Sequence, residues 1–569
     1  MSRPSHWFVA AALVFPPPLL LAQTMRRVSV TAGGGEADQG STVQDRSLTR
    51  DGRALVFETY ATNLIPGGVN NLPDIVVVDL ISGSLELIDV DSNGVQANDR
   101  ALAPAITPDG RYAVFFSKAT NLVANDVNGH FDVFLRDRLL GTTTLVSMSS
   151  TGTQGDGDSL YPSISDSGRY VTFNSYARNL VPGDFNNVSD VFVFDVALGA
   201  IHRVSIPAGG GWADNRSYGQ RISSHGRWIV FTSDAGNLVP GDTNLASDVF
   251  LRDRWNQTTQ RISVGPGGVE SDQTSYVCGL TPDAHWCVFM SLGTTLVSGD
   301  TNGLEDIFVC DTTTGVVTRV DVDAQGNEAD GRAQAAAISD DGRFVAFSSL
   351  ATNLLGSGST LSGTHLQLFL HDRDADGNGV FDEAGGIDTR LLSVDAATGG
   401  EADGETGGIA LTRDGLRVAF DSGADDLIAS DTNGDPDVFL VNDGAAARVA
   451  YGSGWAGSLG TPALSASADP ILGTTISVDA TNSLGAATVG LLILGGYPID
   501  EPTGLGGSLL AAPEFLVPMS IPVTGSSQLG TLPVDPVWSG IELFLQVLEV
   551  DVGASHGVSF TPGLELILG

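Results

Sequence analysis

The chain has 569 residues, with 67 Asp or Glu against 28 Lys or Arg, a formal charge of −39. That charge repels phosphate backbones and argues against a nucleic-acid partner, while 42% hydrophobic residues exclude a disordered acidic polymer. The length exceeds one ordinary core, and 71 glycines with only 17% charged residues point to many short strands joined by tight turns.

Residues 1–23 read as an export signal. Arg3 supplies positive charge, Phe8 to Val14 form an apolar run, and Leu19-Leu20-Leu21-Ala22 ends in a small residue beside Gln23. Pro16-Pro17-Pro18 breaks the run, which argues against a spanning helix, and no later stretch approaches the ~20 apolar residues that crossing needs. The expected location is secreted, periplasmic or cell-surface, and the expected state is a monomer. Of the three cysteines, Cys278 and Cys287 flank a predicted hairpin diagonally, so a disulfide between them is not favoured.

From Arg26 to Ala450 the sequence repeats. Phe57, Phe115, Phe173, Phe231, Phe289 and Phe347 recur every 58 residues, and Phe420 follows a longer gap. A turn precedes each: Asp51-Gly52-Arg53, Asp109-Gly110-Arg111, Ser167-Gly168-Arg169, His225-Gly226-Arg227, Asp283-Ala284-His285, Asp341-Gly342-Arg343 and Asp414-Gly415-Leu416. Asp-Gly suits a tight hairpin because glycine accepts positive φ; Ala284 predicts a strained or altered turn. Within the second unit the strand-like segments are Leu102 to Ile106, Tyr112 to Ser117, Asp132 to Leu135 and Thr144 to Ser147. Four antiparallel strands repeated seven times predict an all-β fold, a seven-bladed β-propeller over residues 24–450; the hairpins fit this better than a parallel β-solenoid. The fourth-strand motif occurs eight times, from Arg26-Arg27-Val28-Ser29-Val30 to Ala447-Arg448-Val449-Ala450. The surplus copy suggests a blade that mixes strands from both ends.

The turn and strand of Ile338-Ser339-Asp340-Asp341-Gly342-Arg343-Phe344-Val345-Ala346-Phe347 carry a resemblance. The units resemble the WD-like propeller repeats of TolB and related secreted bacterial proteins, over about residues 26 to 450. The resemblance implies binding or scaffolding more than catalysis, and a fold does not by itself set function.

An acidic motif, Asp-x-Asn-x-x-x-Asp, precedes the third strand of several units: Asp126, Asn128, Asp132; Asp184, Asn186, Asp190; Asp242, Asn244, Asp248; Asp300, Asn302, Asp306; and Asp431, Asn433, Asp435, Asp437. Alternating oxygen donors can converge on Ca²⁺. The same residues also stabilise turns by bonding backbone, and for the repeated pattern the turn reading is the better one. Gly68 and Gly358-Ser359 interrupt the motif in the first and sixth units. The sharpest calcium signal is the insertion Asp372-Arg-Asp374-Ala-Asp376-Gly377-Asn378-Gly379-Val380-Phe381-Asp382-Glu383. It matches a twelve-residue calcium loop, with Asp372, Asp374 and Asp376 as side-chain donors, Asn378 as a carbonyl donor and Glu383 closing the site. Ca²⁺ is therefore the expected cofactor. Asp372 alone has a structural alternative, since Asp137, Asp253 and Asp311 stand at the same place in other units.

No catalytic constellation stands out. Gly553-Ala554-Ser555-His556-Gly557 lacks the strand–turn–helix setting of a nucleophile elbow, and His365 with His371 read as surface polar residues. Residues 451–569 contain no Lys or Arg and show strand-length runs punctuated by Pro and Gly, predicting a C-terminal β-sandwich. The Tyr451-Gly-Ser-Gly opening, Tyr497-Pro498-Ile499-Asp500, Leu545-Gln546 and Val550-Asp551 resemble a C-terminal domain of exported planctomycete-type proteins, with Trp455 where many members have Cys. The expected function is a calcium-stabilised, non-enzymatic binding or scaffold propeller that meets a protein or glycan on one face. The alternative is a polysaccharide hydrolase or lyase with its site at the channel. Converging carboxylates and His would favour the enzyme, and a small or apolar lining would favour binding.

Overall fold

The computed structural model describes residues 24–65, 70–356, 359–429, 431–442, 447–451, 458, 461–466, 475–495, 498–502, 508–511, 515–531, 542–551, 554, 558–561 and 563–567. The export signal, Trp455, Gly68 and most of the Gly-x-Ser-x-Gly match lie outside them. Among the described residues there is no helix long and apolar enough to cross a membrane.

Among the described residues seven four-stranded antiparallel sheets succeed one another. In the second unit they comprise Ala101–Ile106, Tyr112–Ser117, Asp132–Asp137 and Thr142–Leu145. The fourth strand ends at Leu145, short of the Ser147 expected from sequence, because Ser147 turns its hydroxyl back onto the Asp132 carboxylate at 2.5 Å. The fifth unit keeps the hairpin without its glycine: Ala284 takes φ +61°, a left-handed conformation that costs an alanine energy.

The middle strands are apolar on both faces. Val114 and Phe116 enter the cluster shared by the second and third units, while Ala113 and Phe115 enter the one shared by the first and second. Every sheet therefore needs cover on both sides, as in other sheets buried on two faces. Hydrophobic clusters join the first unit to the second, the second to the third, and so on through the sixth and seventh. A further cluster joins the seventh back to the first, through Leu55 and Phe57 against Ala419, Val438 and Leu440. The fold is a propeller-type repeat. Its closure is also made of backbone. Thr24–Arg27 pairs antiparallel with Asp437–Asn442 and completes the last sheet, so the early motif copy serves the seventh unit. The late copy, Ala447–Tyr451, leaves the repeat and pairs with Gly563–Ile567 at the other end of the chain.

Beyond Ala447 a six-stranded sheet and a three-stranded sheet share one core, with Leu464, Ala480, Leu492, Ile521, Val547 and Leu566 buried between them. Gln546 and Asp551 of the sequence motif are fully buried: Gln546 donates to the Thr561 carbonyl at 3.0 Å, and Asp551 accepts the Ser458 hydroxyl at 2.6 Å. These motif positions are hydrogen-bonded core. The three cysteines are free, and Cys287 faces Cys310 across adjacent strands instead of Cys278.

Six repeated phenylalanines each stack on a phenylalanine of the neighbouring strand, Phe231 on Phe250 with centroids 5.9 Å apart. Phe231 is fully buried. Phe231→Ala should destabilise the protein by about 3–5 kcal/mol in urea unfolding, as aromatic truncations in cores do. A loss below about 1 kcal/mol, under the range for such truncations, would show that the side chain is not core.

Candidate functional site

The acidic motif folds as an inter-unit bracket. Its Asn amide donates to the Asp four residues on and to a carbonyl of the following unit. Asn128 reaches Asp132 and Gly155, Asn186 reaches Asp190 and Ala213, and Asn244 reaches Asp248 and Ser271. Asn302 reaches Asp306 and Ala329, and Asn433 reaches Asp437 and Ala37. Two groups of three carboxylates gather their oxygens within 4.8 Å: Asp300, Asp306 and Glu328, and Glu36, Asp431 and Asp437. The sequence motif named the Asp residues of both; it did not name Glu328 or Glu36, which arrive from the loop leading into the next unit. Asp435 stays outside its cluster and only donates its N–H to the Asn433 side chain.

A guanidinium already stands in these clusters. One terminal nitrogen of Arg319 lies 2.6 Å from Glu328 and 3.4 Å from Asp306; that of Arg27 lies 2.5 Å from Glu36, 3.0 Å from Asp437 and 3.3 Å from Asp431. Arg261 repeats the arrangement with Asp242, Asp248 and Glu270 at 3.2, 3.1 and 3.0 Å. In the second unit Leu145 replaces the arginine and Gln154 the glutamate, and Gln154 itself donates to Asp126. Burial, then the charge of the second Asp, raises Asp242 and Asp300 to about 6 and Asp431 to about 7. Glu328 is held at about 2, against its burial, by the Thr301 hydroxyl and N–H and by Arg319.

The insertion at 372–383 is less convergent than its sequence suggests. Both Asp372 oxygens are held by Arg343 at 2.8 Å, the pairing that Asp137, Asp195 and Asp253 make with Arg111, Arg169 and Arg227. Asp374 accepts the Gly379 N–H at 3.1 Å, and the Asn378 amide bridges Asp376 and Glu383. Two carboxylates, Asp376 and Glu383, thus share one amide, and Asp374 is held apart by the Gly379 N–H. The residue that anchors the loop is Arg373, fully buried over the Trp286 ring and bonded to Asp382 at 2.6 Å. His371 is buried as well, against the surface position expected: it faces Thr389 at 2.8 Å, and desolvation lowers its pKa to about 4.

The first strands of the units converge on a common centre. One end is narrow. Main-chain bonds join residues that precede successive hairpin turns, Arg50 N–H to the Pro108 carbonyl, Asp166 to Ser224, Ser224 to Pro282, and Asp340 to Arg413. Pro108 and Pro282 have no N–H to extend the series. Arg50 crosses this end, 2.8 Å from both Asp166 and Asp340, and Arg46 bonds carbonyls of Ile164 and Leu280. The cavity left there is about 70 Å³. The other end opens into a cavity of about 500 Å³ lined by Tyr161, Tyr176, Tyr218, Asn174, Arg216 and Arg221 among others, a volume typical of small-ligand sites. Asp45 is the one carboxylate among its lining residues and is held by Arg221 at 2.7 Å. Arg216 is fixed by Asp234, which also takes the Ser247 hydroxyl at 2.6 Å. Tyr161 has φ +51°, and the equivalent residues of the second and fourth units are Ala103 and Gly219, also at positive φ. A bulky residue there stores about 1–3 kcal/mol of strain. None of these mouth residues stood out in the sequence; an aromatic at a strand bulge leaves no motif.

No family model matches the chain, and no curated protein matches it. Solved structures resemble it more distantly. A TolB-type protein of Agrobacterium tumefaciens is 17% identical with TM-score 0.33, covering 49% of this chain and 80% of its own. The WD40 repeats of RRP9 are 10% identical with TM-score 0.39, covering 74% and 97%. The extracellular domain of a hybrid two-component system of B. thetaiotaomicron is 9% identical with TM-score 0.36, covering 95% and 59%. At these scores the likenesses carry no weight for function, and the fold rests on the strand pairing above.

Removing a central arginine tests the bracket. Arg261→Met leaves buried Asp248 and part-buried Asp242 without their cation, beside the more open Glu270, and should cost about 3–5 kcal/mol at pH 7, as breaking a buried ion pair does. Burial already holds Asp242 and Asp248 above their ordinary values, and without the guanidinium they rise further. Their contribution is then fully present below about pH 4, the unfolded carboxylate range, and is lost as pH rises through the folded values. Melting temperatures of variant and wild type should converge at pH 4–5 and separate toward pH 8; a gap independent of pH would show that the arginine acts by packing alone.

Proposed function

We propose that this is an exported, non-enzymatic binding protein, a seven-bladed β-propeller with a C-terminal β-sandwich, whose ligand enters the wide mouth of the channel. The observation that carries the reading is the lining of that mouth. Tyrosines, prolines and alanines surround a cavity of about 500 Å³ that is closed beneath by Arg46 and Arg50. A hydrolase acting on glycosides needs two carboxylates flanking the scissile bond. Asp45 stands alone in the lining and is neutralised by Arg221, which favours binding over turnover. The partner is a protein or a glycan outside the cytoplasm. A Ca²⁺ ion on Asp374, Asp376, Glu383 and the Asn378 carbonyl belongs to the same proposal, as a clasp on the loop that Arg373 anchors.

Two measurements test this. Immobilised protein should retain material from a cell-envelope extract of peptides and oligosaccharides, and Tyr176→Ala with Arg216→Ala should lose at least tenfold of it without new reducing ends or unsaturated products appearing in either case. Retention that these variants leave intact, or turnover by the wild type, would sink the reading. For the clasp, millimolar Ca²⁺ should raise the melting temperature over EDTA in the wild type and not in Asp376→Ala with Glu383→Ala, since only a ligand that binds the folded state stabilises it. Identical responses would remove the loop as the site.

A further inference from the structure

The wide mouth carries enough chemistry to narrow the class of its ligand, on the reading that the mouth is the binding site. Two tyrosine rings, Tyr161 and Tyr176, line the cavity while half exposed, at 54% and 50%. The strand bulge recurs at the same place in neighbouring units, and there the fourth unit uses glycine, the residue with no steric objection to positive φ. Tyr161 is held in that conformation with its ring outward, packed edge-on against Phe116 at 5.4 Å and with its carbonyl taking a bond from Gln220. A strained aromatic that gives up half its surface to water is a poor stabiliser of the fold, and strain of this kind gathers at ligand sites.

The cavity wall also holds polar atoms without partners. The Asn174 Oδ1 and the Ser163 Oγ are buried and unbonded, and both residues line the cavity. The Asn174 amide bonds Ser189 by one end only. Whichever way that amide is turned, one end stays open, and a hydroxyl can serve it as donor or acceptor. A polyproline segment offers carbonyls but no N–H or O–H, so it serves that amide in one orientation only, whereas a hydroxyl serves it in both.

Charge supplies the third element. Arg216 and Arg221 are matched by Asp234 and Asp45, so the mouth presents two neutralised pairs. The chain as a whole carries −39. A polyanionic ligand meets repulsion and finds no unmatched cation among these lining residues.

We propose that the mouth binds a neutral oligosaccharide, with a sugar ring against Tyr161 and Tyr176 and hydroxyls directed to Asn174 and Ser163. The amphipathic tyrosine ring suits a ligand with an apolar ring face and a hydroxylated edge.

The experiment is calorimetric titration of the full chain with three kinds of probe: neutral trisaccharides of glucose, xylose, mannose and galactose, a galacturonic acid trisaccharide, and a proline-rich decapeptide. At least one neutral trisaccharide should bind, at least tenfold more tightly than the acidic sugar or the peptide. Tyr161→Gly should weaken that binding at least tenfold while its melting temperature holds or rises, because the strain is relieved; a merely structural tyrosine would lower the melting temperature and leave binding intact. Asn174→Leu should weaken it as well, with Phe369→Tyr, on the third strand of the sixth sheet, which lends no residue to the cavity lining, as the control for nonspecific damage. If the acidic sugar or the peptide binds best and Tyr161→Gly abolishes it, the neutral-glycan assignment is overturned while the mouth stands as the binding site. If no probe binds, the assignment is overturned too, and the extract experiment above decides separately on the mouth. If a neutral sugar binds and neither variant weakens it, both readings fail.

Discussion

Everything in this protein follows from sheets that are apolar on both faces. A four-stranded sheet whose middle strands alternate Val114 and Phe116 on one side with Ala113 and Phe115 on the other cannot be stable alone. It must be covered twice, and the chain provides the cover only by bringing the next unit against one face and the previous unit against the other. The requirement propagates until the last unit meets the first. Ring closure is therefore the condition under which any unit is buried, and Thr24–Arg27 meets it in the backbone by completing the sheet of Asp437–Asn442. Edge strands at both ends of the repeat are removed in one step.

Electrostatics is subordinate to that ring. The acidic loops look like metal sites in a linear sequence because their donors alternate. In the folded protein they are the places where one unit grips the next: an Asn amide reaches across, a Glu from the following loop returns, and in the fourth, fifth and seventh units an arginine fills the space between carboxylates. A guanidinium carries the positive charge there permanently and brings several donors in a fixed plane. The other units follow no single rule: Leu145 stands with Gln154 in the second, Arg203 stacks on Trp212 in the third, and Leu391 stands with Glu401 in the sixth.

The two ends of the channel show how a repeat acquires a direction. At the narrow end main-chain bonds join corresponding turn residues of several units, and Arg50 ties Asp166 and Asp340 across the centre. At the wide end equivalence breaks. Ala103, Tyr161 and Gly219 occupy one structural position in three successive units, and only the tyrosine brings a ring into the opening. Departure from the repeat, at a position where the backbone penalises it, sets the wide end apart from the narrow one.

Most of the architecture was legible in the sequence because it is written in local signals. The 58-residue spacing of the phenylalanines, the Asp-Gly turns and the surplus copy of the fourth-strand motif each reflect constraints acting within one hairpin, and the four-stranded sheets and their shared end strand followed. Asp372 was legible in the same way, since the aspartates at its position in other units announced a structural partner. What only the tertiary structure decided is where residues far apart in the chain meet. Glu36 reaches Asp431 and Asp437 across the closure, Arg46 bonds carbonyls of two other units, and Asp45, Tyr161 and Tyr218 share one cavity although they come from the first, third and fourth units. His371 read as surface polar because its neighbours in sequence are acidic, yet its strand is covered on both faces. Hairpins record their own geometry in nearby residues; a channel mouth is the sum of side chains from several units, and no spacing along the chain encodes it.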